Sequence, residues 1–374
     1  MTTLPKLDEK NINYIFETAE HIADSTENRR AGSEGEEQAR RLFLNEFMKY
    51  CDETTEQSFP THPGVGTFVE KVLCALLIVL TVFFFIFSGE GVAIPVILSL
   101  FGSLFAFCLF VHKILFDGVK LDFLKPKKKS GNLLGRRYAR GEAQTRVVIV
   151  SHLDSPQSVR GPFFDNRVPF ILSIATITGN TLLFCSQLLF LFAGAPQDNS
   201  FFSFLSVICL IFIPIYIASM IIINPKRSAS GVSSALIPSA VLLGIMRQFS
   251  EDSFRYEETE VCFLITGSEY SSRAGSYAFA KKHRRLFSDV RTIFIPLEEI
   301  TSSERLSVFF RDGSGTKGSA EVASVIAQAA ENLELNLTKE SSLLGTSAFS
   351  PFAKNHFQAC ALGTSKKLIS RSVS

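Results

Sequence analysis

Charge is scarce in this chain. Asp, Glu, Lys and Arg make up 20% of its 374 residues, where a soluble protein of this length carries about one quarter. Tryptophan is absent, whereas phenylalanine occurs 36 times and hydrophobic residues reach 46%. So apolar a chain is not disordered. Its charges nearly cancel, to a net +2, so bulk electrostatics give no support to a nucleic-acid partner. Seven cysteines (51, 74, 108, 185, 209, 262 and 360) show neither a pairing pattern nor metal spacing. That excludes a disulfide scaffold and a cysteine-based zinc site, and it fits a reduced compartment. No Gly-x-Ser-x-Gly elbow supports serine-based hydrolysis. No cleavable signal peptide is expected either, because the first 65 residues are polar and mixed.

Lysine and arginine are missing from two long stretches. From Val72 to Val111 the only acid is Glu90, and from Val168 to Pro225 it is Asp198. The stretches break near their middles, at Ser88-Gly89-Glu90-Gly91 and at Ala193–Asn199. The four segments that result have roughly 17 to 26 residues, long enough to cross a hydrocarbon core of about 30 Å. They predict two transmembrane hairpins, about 70–88 with 92–112 and about 168–193 with 201–224, with a kink at Pro214. The expectation is a multi-pass protein of the cell membrane, with the lipid bilayer as partner. Lys71, Lys113, Lys120, Arg160, Arg167, Lys226 and Arg227 flank the spans on one side, and the hairpin tips carry no Lys or Arg. The positive-inside rule then predicts that the rest of the chain is cytoplasmic. The spans show no acid, base or paired polar set of the kind transporters use. The run Lys125-Pro126-Lys127-Lys128-Lys129, with Arg136-Arg137, has two readings: a seat for anionic headgroups, or a solvated loop that serves the topology rule.

The remaining sequence alternates strand and helix. Residues 7–50 read as helical, with Ser33 and Glu36 as a capping box. The β-branched run Arg146–Ser151 predicts a buried strand ending at His152-Leu153-Asp154-Ser155. A helix is expected from about Val232 to Gln248, then a strand over Glu260–Ile265 leading into Thr266-Gly267-Ser268-Glu269, and a helix around Gly275–His283. Further strands are expected at Arg291–Leu297, ending at Glu298-Glu299, at Val308–Arg311 and near Gln358–Leu362, with a helix over Ser319–Asn332. This pattern predicts an α/β fold, a mostly parallel sheet with helices on both faces. It is one domain in three segments, 1–67, 113–167 and 225–374, interrupted by membrane hairpins at 68–112 and 168–224. Sites in such sheets form beyond the carboxyl ends of strands, where His152, Asp154, Glu269 and Glu298 all fall.

These residues resemble the co-catalytic di-zinc aminopeptidases, whose relatives include glutamate carboxypeptidase and the transferrin-receptor ectodomain. More narrowly, they are similar to a bacterial subgroup with membrane spans after the first metal motif. Arg30-Ala31-Gly32-Ser33-Glu34-Gly35 matches the family's Pro-Ala-Gly-Ser-Glu-Gly, and Val148–Ser155 matches its strand and His-x-Asp. Ser228-Ala229-Ser230-Gly231-Val232 matches the end of Asp-Asn-Ala-Ser-Gly-Val. Gly267-Ser268-Glu269 with Gly275-Ser276 matches Gly-Ser-Glu-Glu-x-Gly-x-x-Gly-Ser, and Ser347–Phe352 echoes Ser-Asp-x-x-Pro-Phe. The resemblance implies two zinc ions sharing a bridging carboxylate and a water, with a Glu taking the water's proton. It makes His152 a zinc ligand, Asp154 the residue that orients it, and Glu269 the general base.

The other positions depart from the pattern. The bridging Asp falls on Arg227, whose guanidinium would oppose both cations and cannot deprotonate. The second Glu of the pair is Tyr270. The next Asp falls near Glu298, an imperfect substitute, and the acid of Ser-Asp-x-x-Pro-Phe is Ala348. The family's closing His-Thr loop has no counterpart before Ser374. The expectation is therefore a degraded site with either no cofactor or weakly held zinc, and Glu269 as a vestigial base. In that case the protein binds peptides or a protein partner, or serves in assembly. The alternative is a membrane-bound metal-dependent aminopeptidase with an atypical site. Replacement ligands to consider are Asp165-Asn166 and His356. Arg227 is expected to pair with Glu269 or Asp154 where zinc would otherwise sit.

Overall fold

The computed structural model describes residues 9–116, 124–160, 168–196, 200–302, 305–342, 345–365 and 370–372. The elements begin with α1 (Glu9–Ser25), α2 (Glu34–Tyr50), β1 (Glu53–Thr61), α3 (Val65–Gly89), α4 (Ala93–Phe116), β2 (Lys128–Arg137) and β3 (Thr145–His152). Next come β4 (Gln157–Val159), α5 (Val168–Phe192), α6 (Ser200–Leu210), α7 (Ile213–Ile222), β5 (Ile223–Ser228), α8 (Ile237–Ser250) and β6 (Thr259–Thr266). The last are α9 (Ala274–His283), β7 (Arg291–Pro296), β8 (Leu306–Arg311), α10 (Ala320–Asn332), β9 (Thr338–Ser342), α11 (Ser350–Lys354), β10 (Gln358–Ala359), β11 (Ala361–Thr364) and β12 (Ser370–Ser372). They form two units. One comprises Met1–Pro63, Phe123–Pro156 and Ser228–Ser374, the other Gly64–Asp122 and Gln157–Arg227.

The first unit is α/β. Its main sheet has the order β1-β2-β6-β3-β7-β10. β6, β3, β7 and β10 run parallel, and β1 with β2 forms an antiparallel margin. Alternation along β6 decides what each face buries. Val261, Phe263 and Ile265 pack with Phe43 and Phe47 of α2 and with Leu242, Leu243 and Met246 of α8. Cys262 and Leu264 face the other way, with Val148, Val150 and Phe294, onto Phe279 of α9 and Phe352 of α11. Each such side chain contributes about 1.5–3 kcal/mol of burial, so both faces hold the parallel strands in place beneath their carboxyl ends. A second sheet, β11-β8-β9-β12, lies in the same unit.

One local reading is corrected and two are filled in. The helical run expected over 7–50 is two helices, because the chain doubles back between them; a Cβ on Gly35 would stand 1.9 Å from the carbonyl oxygen of Glu27. Ser33 does cap α2, accepting from the Glu36 amide at 3.2 Å, and the Glu36 carboxylate does reach back, but to the Gly32 amide at 2.6 Å, one residue before the cap. The basic run is partly consumed: Arg136 pairs with Glu53 and Glu260, and Arg137 with Asp52, while Lys127, Lys128 and Lys129 stay exposed.

The second unit is helical. Four of its helical segments are long and apolar enough to cross a membrane: Val65–Gly89, Ala93–Phe116, Val168–Phe192 and Ser200–Ile222. At 1.5 Å per residue the shortest extends about 35 Å. The last is broken between α6 and α7 and resumes with Pro214 in the first turn of α7, as a missing amide there requires. Leu77, Phe84, Phe110, Leu183, Phe190 and Tyr216 form its core. The helices are not free of paired polar groups. Lys113 of α4 donates to Glu70 of α3. Gln187 of α5 donates to Ser99 at 2.6 Å and accepts from Ser103 at 2.8 Å, both on α4, and Asn180 donates to the Ser103 carbonyl at 3.2 Å. Lys120, Arg167 and Gln197–Asn199 lie outside the described residues.

Candidate active site

The carboxyl ends of β3 and β6 place His152, Asp154 and the 267–276 loop side by side. Parallel pairing sets His152 opposite Thr266, so the residues after each strand emerge together. Four successive loop amides then meet side-chain oxygens. Gly267 donates to Asn132 at 3.2 Å, Ser268 to Glu36 at 2.6 Å, and Glu269 and Tyr270 each to Asp154 at 2.9 Å. Glu36 also accepts from the Gly32 amide at 2.6 Å and from Ser130 at 3.0 Å. Asp154 is fully buried and Glu36 nearly so. Burial, then the nearby charges of Glu36 and Glu269, pushes the Asp154 carboxyl well above its ordinary range. Burial likewise raises Glu36, against the pull of its amide donors.

His152 ends β3 with its Nε2 closed off from solvent and without a hydrogen-bond partner. Burial, together with the charge of Arg273, pulls its pKa down to about 3, so the ring is neutral. Tyr270 packs edge-on against it, with ring centroids 5.6 Å apart. Asp154 spends both oxygens on loop amides, so the expected bond orienting His152 is absent among the described residues. Glu269 accepts from the amide and hydroxyl of Ser276 at 2.8 and 2.7 Å, which ties it to the first turn of α9. Its second oxygen lies 3.8 Å from Arg273.

The loop is costly to hold. Ser268, Ser272 and Arg273 all have φ between +54 and +56. Ser272 stands where the family pattern has glycine. Each such residue costs about 1–2 kcal/mol, which the four amide anchors offset.

Glu298, just beyond β7, accepts from the Ala348 amide at 2.7 Å and from the Ser347 hydroxyl. It therefore holds the very segment in which the family has its acid. His356 is exposed in the turn before β10, at the amino end of that strand, away from the site. Arg227 is exposed in β5 of the helical unit. Within the α/β unit, the guanidinium beside Glu269 is that of Arg273. Asp165-Asn166 lies outside the described residues. Sequence reasoning missed Asn132 and Arg273 and saw only the capping part of what Glu36 does; the only signal was the position of Glu36 and Arg273 inside matched motifs.

Zinc needs at least three protein donors converging on one point. Among the described residues no group of three His, Cys, Asp or Glu side chains can hold a metal ion. His152 offers one buried unpartnered nitrogen, but Asp154 and Glu269 are spent on amides and a hydroxyl, and Tyr270 takes the next position. The described residues do not fit a zinc pair.

The model of Peptidase family M28 matches residues 231–370. No curated protein matches the chain. Among solved structures, an aminopeptidase from Aneurinibacillus sp. strain AM-1 is similar at 13% identity and a TM-score of 0.52, over 96% of this chain and 85% of that one. A Zn-dependent exopeptidase from Parabacteroides distasonis gives 10%, 0.51, 97% and 86% in the same order. A glutaminyl cyclase from an Acidobacteriales bacterium gives 10%, 0.50, 97% and 83%. At such identities the likeness is one of fold. The chain has the mixed α/β fold, with a central, mostly parallel sheet, that these aminopeptidases and cyclases share, and the Peptidase family M28 pattern runs through residues 231–370.

Proposed function

We propose that this is a multi-pass membrane protein whose peptidase-like unit has lost its zinc chemistry and serves in binding or assembly, with peptides or a protein as partner. The observation that carries the reading is the donor set around His152. One imidazole stands there with two carboxylates already engaged, Tyr270 in place of a second Glu, and Ala348 in place of an acid. The four apolar segments and the lysines and arginines flanking them support a bilayer anchor with the α/β unit in the cytoplasm.

A second reading, a metal-dependent aminopeptidase with an atypical site, is favoured by one observation: the buried, unpartnered Nε2 of His152. Elemental analysis of the detergent-purified chain separates the two, with His152→Ala as control. We expect zinc near zero in both. One or two zinc ions per chain, lost in the His152→Ala protein, would overturn the first reading in favour of the second.

A further inference from the structure

We propose that Arg273 is the resident cation beside Glu269, a positioning residue that takes the place of metal charge there and latches the 346–348 segment to the Glu269 loop. The proposal rests on the reading above that the site works without metal. The guanidinium reaches two elements at once. Its Nη1 lies 3.8 Å from the Glu269 carboxylate. On its other side Nε donates to the Thr346 hydroxyl at 3.1 Å, and Nη2 donates to the Thr346 carbonyl. The two segments are far apart in sequence, and the planar fork of arginine suits such a bridge better than a lysine point charge.

The far segment is held at two more points. Glu298 accepts from Ser347 and Ala348, and Asp312 accepts from the Ser347 amide at 3.2 Å and from the Ser350 hydroxyl. Thr346 and Ser347 are buried as a result. Of these anchors only Arg273 joins the segment to the loop that carries Glu269. Three buried or nearly buried acids, Glu36, Asp154 and Glu269, crowd that loop, and such a cluster needs positive charge close by. In a zinc enzyme the metal supplies that charge. Here side chains supply it: Arg29 near Asp154, Arg40 near Glu36, and Arg273 beside Glu269, the last in a backbone conformation with φ +54 that non-glycine residues rarely adopt. The latch is thus covalently part of the chain and cannot be removed by a chelator.

Hydrogen exchange of the full chain in detergent tests this. In Arg273→Met, amides of 268–276 and of 345–350 are expected to exchange roughly tenfold faster, while α10 is unchanged. Arg273→Lys keeps the charge but not the fork, so both segments should loosen together by a smaller factor. Zinc ion added to either variant should restore nothing. Unchanged exchange in 345–350, or loosening of 268–276 alone in both variants, would overturn the latch. If Arg273→Met loses protection everywhere, Arg273→Lys decides by the same criterion. The zinc content of the unaltered chain is a separate measurement, so failure of the latch and failure of the non-catalytic reading are told apart.

Discussion

His152 shows what one residue's surroundings do to its chemistry. Its folded pKa, about 3, lies below the unfolded value near 6.5. Between these two values the unfolded chain binds the proton and the native chain does not, so this residue makes stability rise with pH across that window. The slope it contributes is at most about 1.4 kcal/mol per pH unit. The raised carboxyls of Glu36 and Asp154 act in the opposite direction: the native state holds their protons longer, so their contribution falls as pH rises through their folded pKa values. The raw curve mixes the two, and His152→Leu separates them. Thermal midpoints from circular dichroism between pH 3 and 6.5 should rise less with pH in His152→Leu than in the unaltered chain. Equal slopes would mean that the ring is protonated in the fold. Neither carboxyl's role was legible in the sequence. The spacing of His152 and Asp154 suggests a ligand and its orienting partner, but the contacts of Asp154 come from a loop more than a hundred residues away.

At the scale of elements, what was legible depended on whether a segment's own pattern or its neighbours made the structure. β3, β6 and β7 carry β-branched or aromatic runs and fall close to the expected places. β1 and β2 do not: Glu-Thr-Thr-Glu-Gln-Ser-Phe-Pro-Thr and Lys-Lys-Ser-Gly-Asn-Leu-Leu-Gly-Arg-Arg are strands because they pair with each other and with β6. The polar bridge between α4 and α5 was hidden for the same reason. Ser99, Ser103, Asn180 and Gln187 look like isolated polar letters in apolar runs, and only packing brings them together. In an apolar setting such a bridge is worth about 1 kcal/mol. Gln187→Leu should weaken unfolding resistance of the helical unit by that much, and Ser99→Ala combined with it should cost less than the sum of the two. Strict additivity in that double-mutant cycle would show that the bridge contributes nothing.

The chain interleaves two units, so each is assembled from segments separated in sequence, and the charge distribution is the pattern that suggests such an arrangement. Stretches without Lys or Arg supply the long apolar helices, and the strand–helix alternation around them supplies the main sheet and a second one; the main sheet spans the interruption because parallel strands tolerate long excursions between neighbours. β3 pairs with β6 although more than a hundred residues separate them. Orientation is a further consequence of the same charge distribution. Both breaks between apolar helices lack Lys and Arg, while the flanks of the helices are basic, so the positive-inside rule predicts the breaks outside and the α/β unit in the cytoplasm. Labelling with a membrane-impermeant maleimide checks this in intact cells, with exposed Cys108 and Cys185 first replaced by alanine. A cysteine at Gly194, in the second break, should react from outside. A cysteine at the exposed Ala329 of α10 should react only after the cells are opened. The reverse pattern would invert the orientation. Reaction of both from outside would place the α/β unit, and any partner it binds, on the cell exterior.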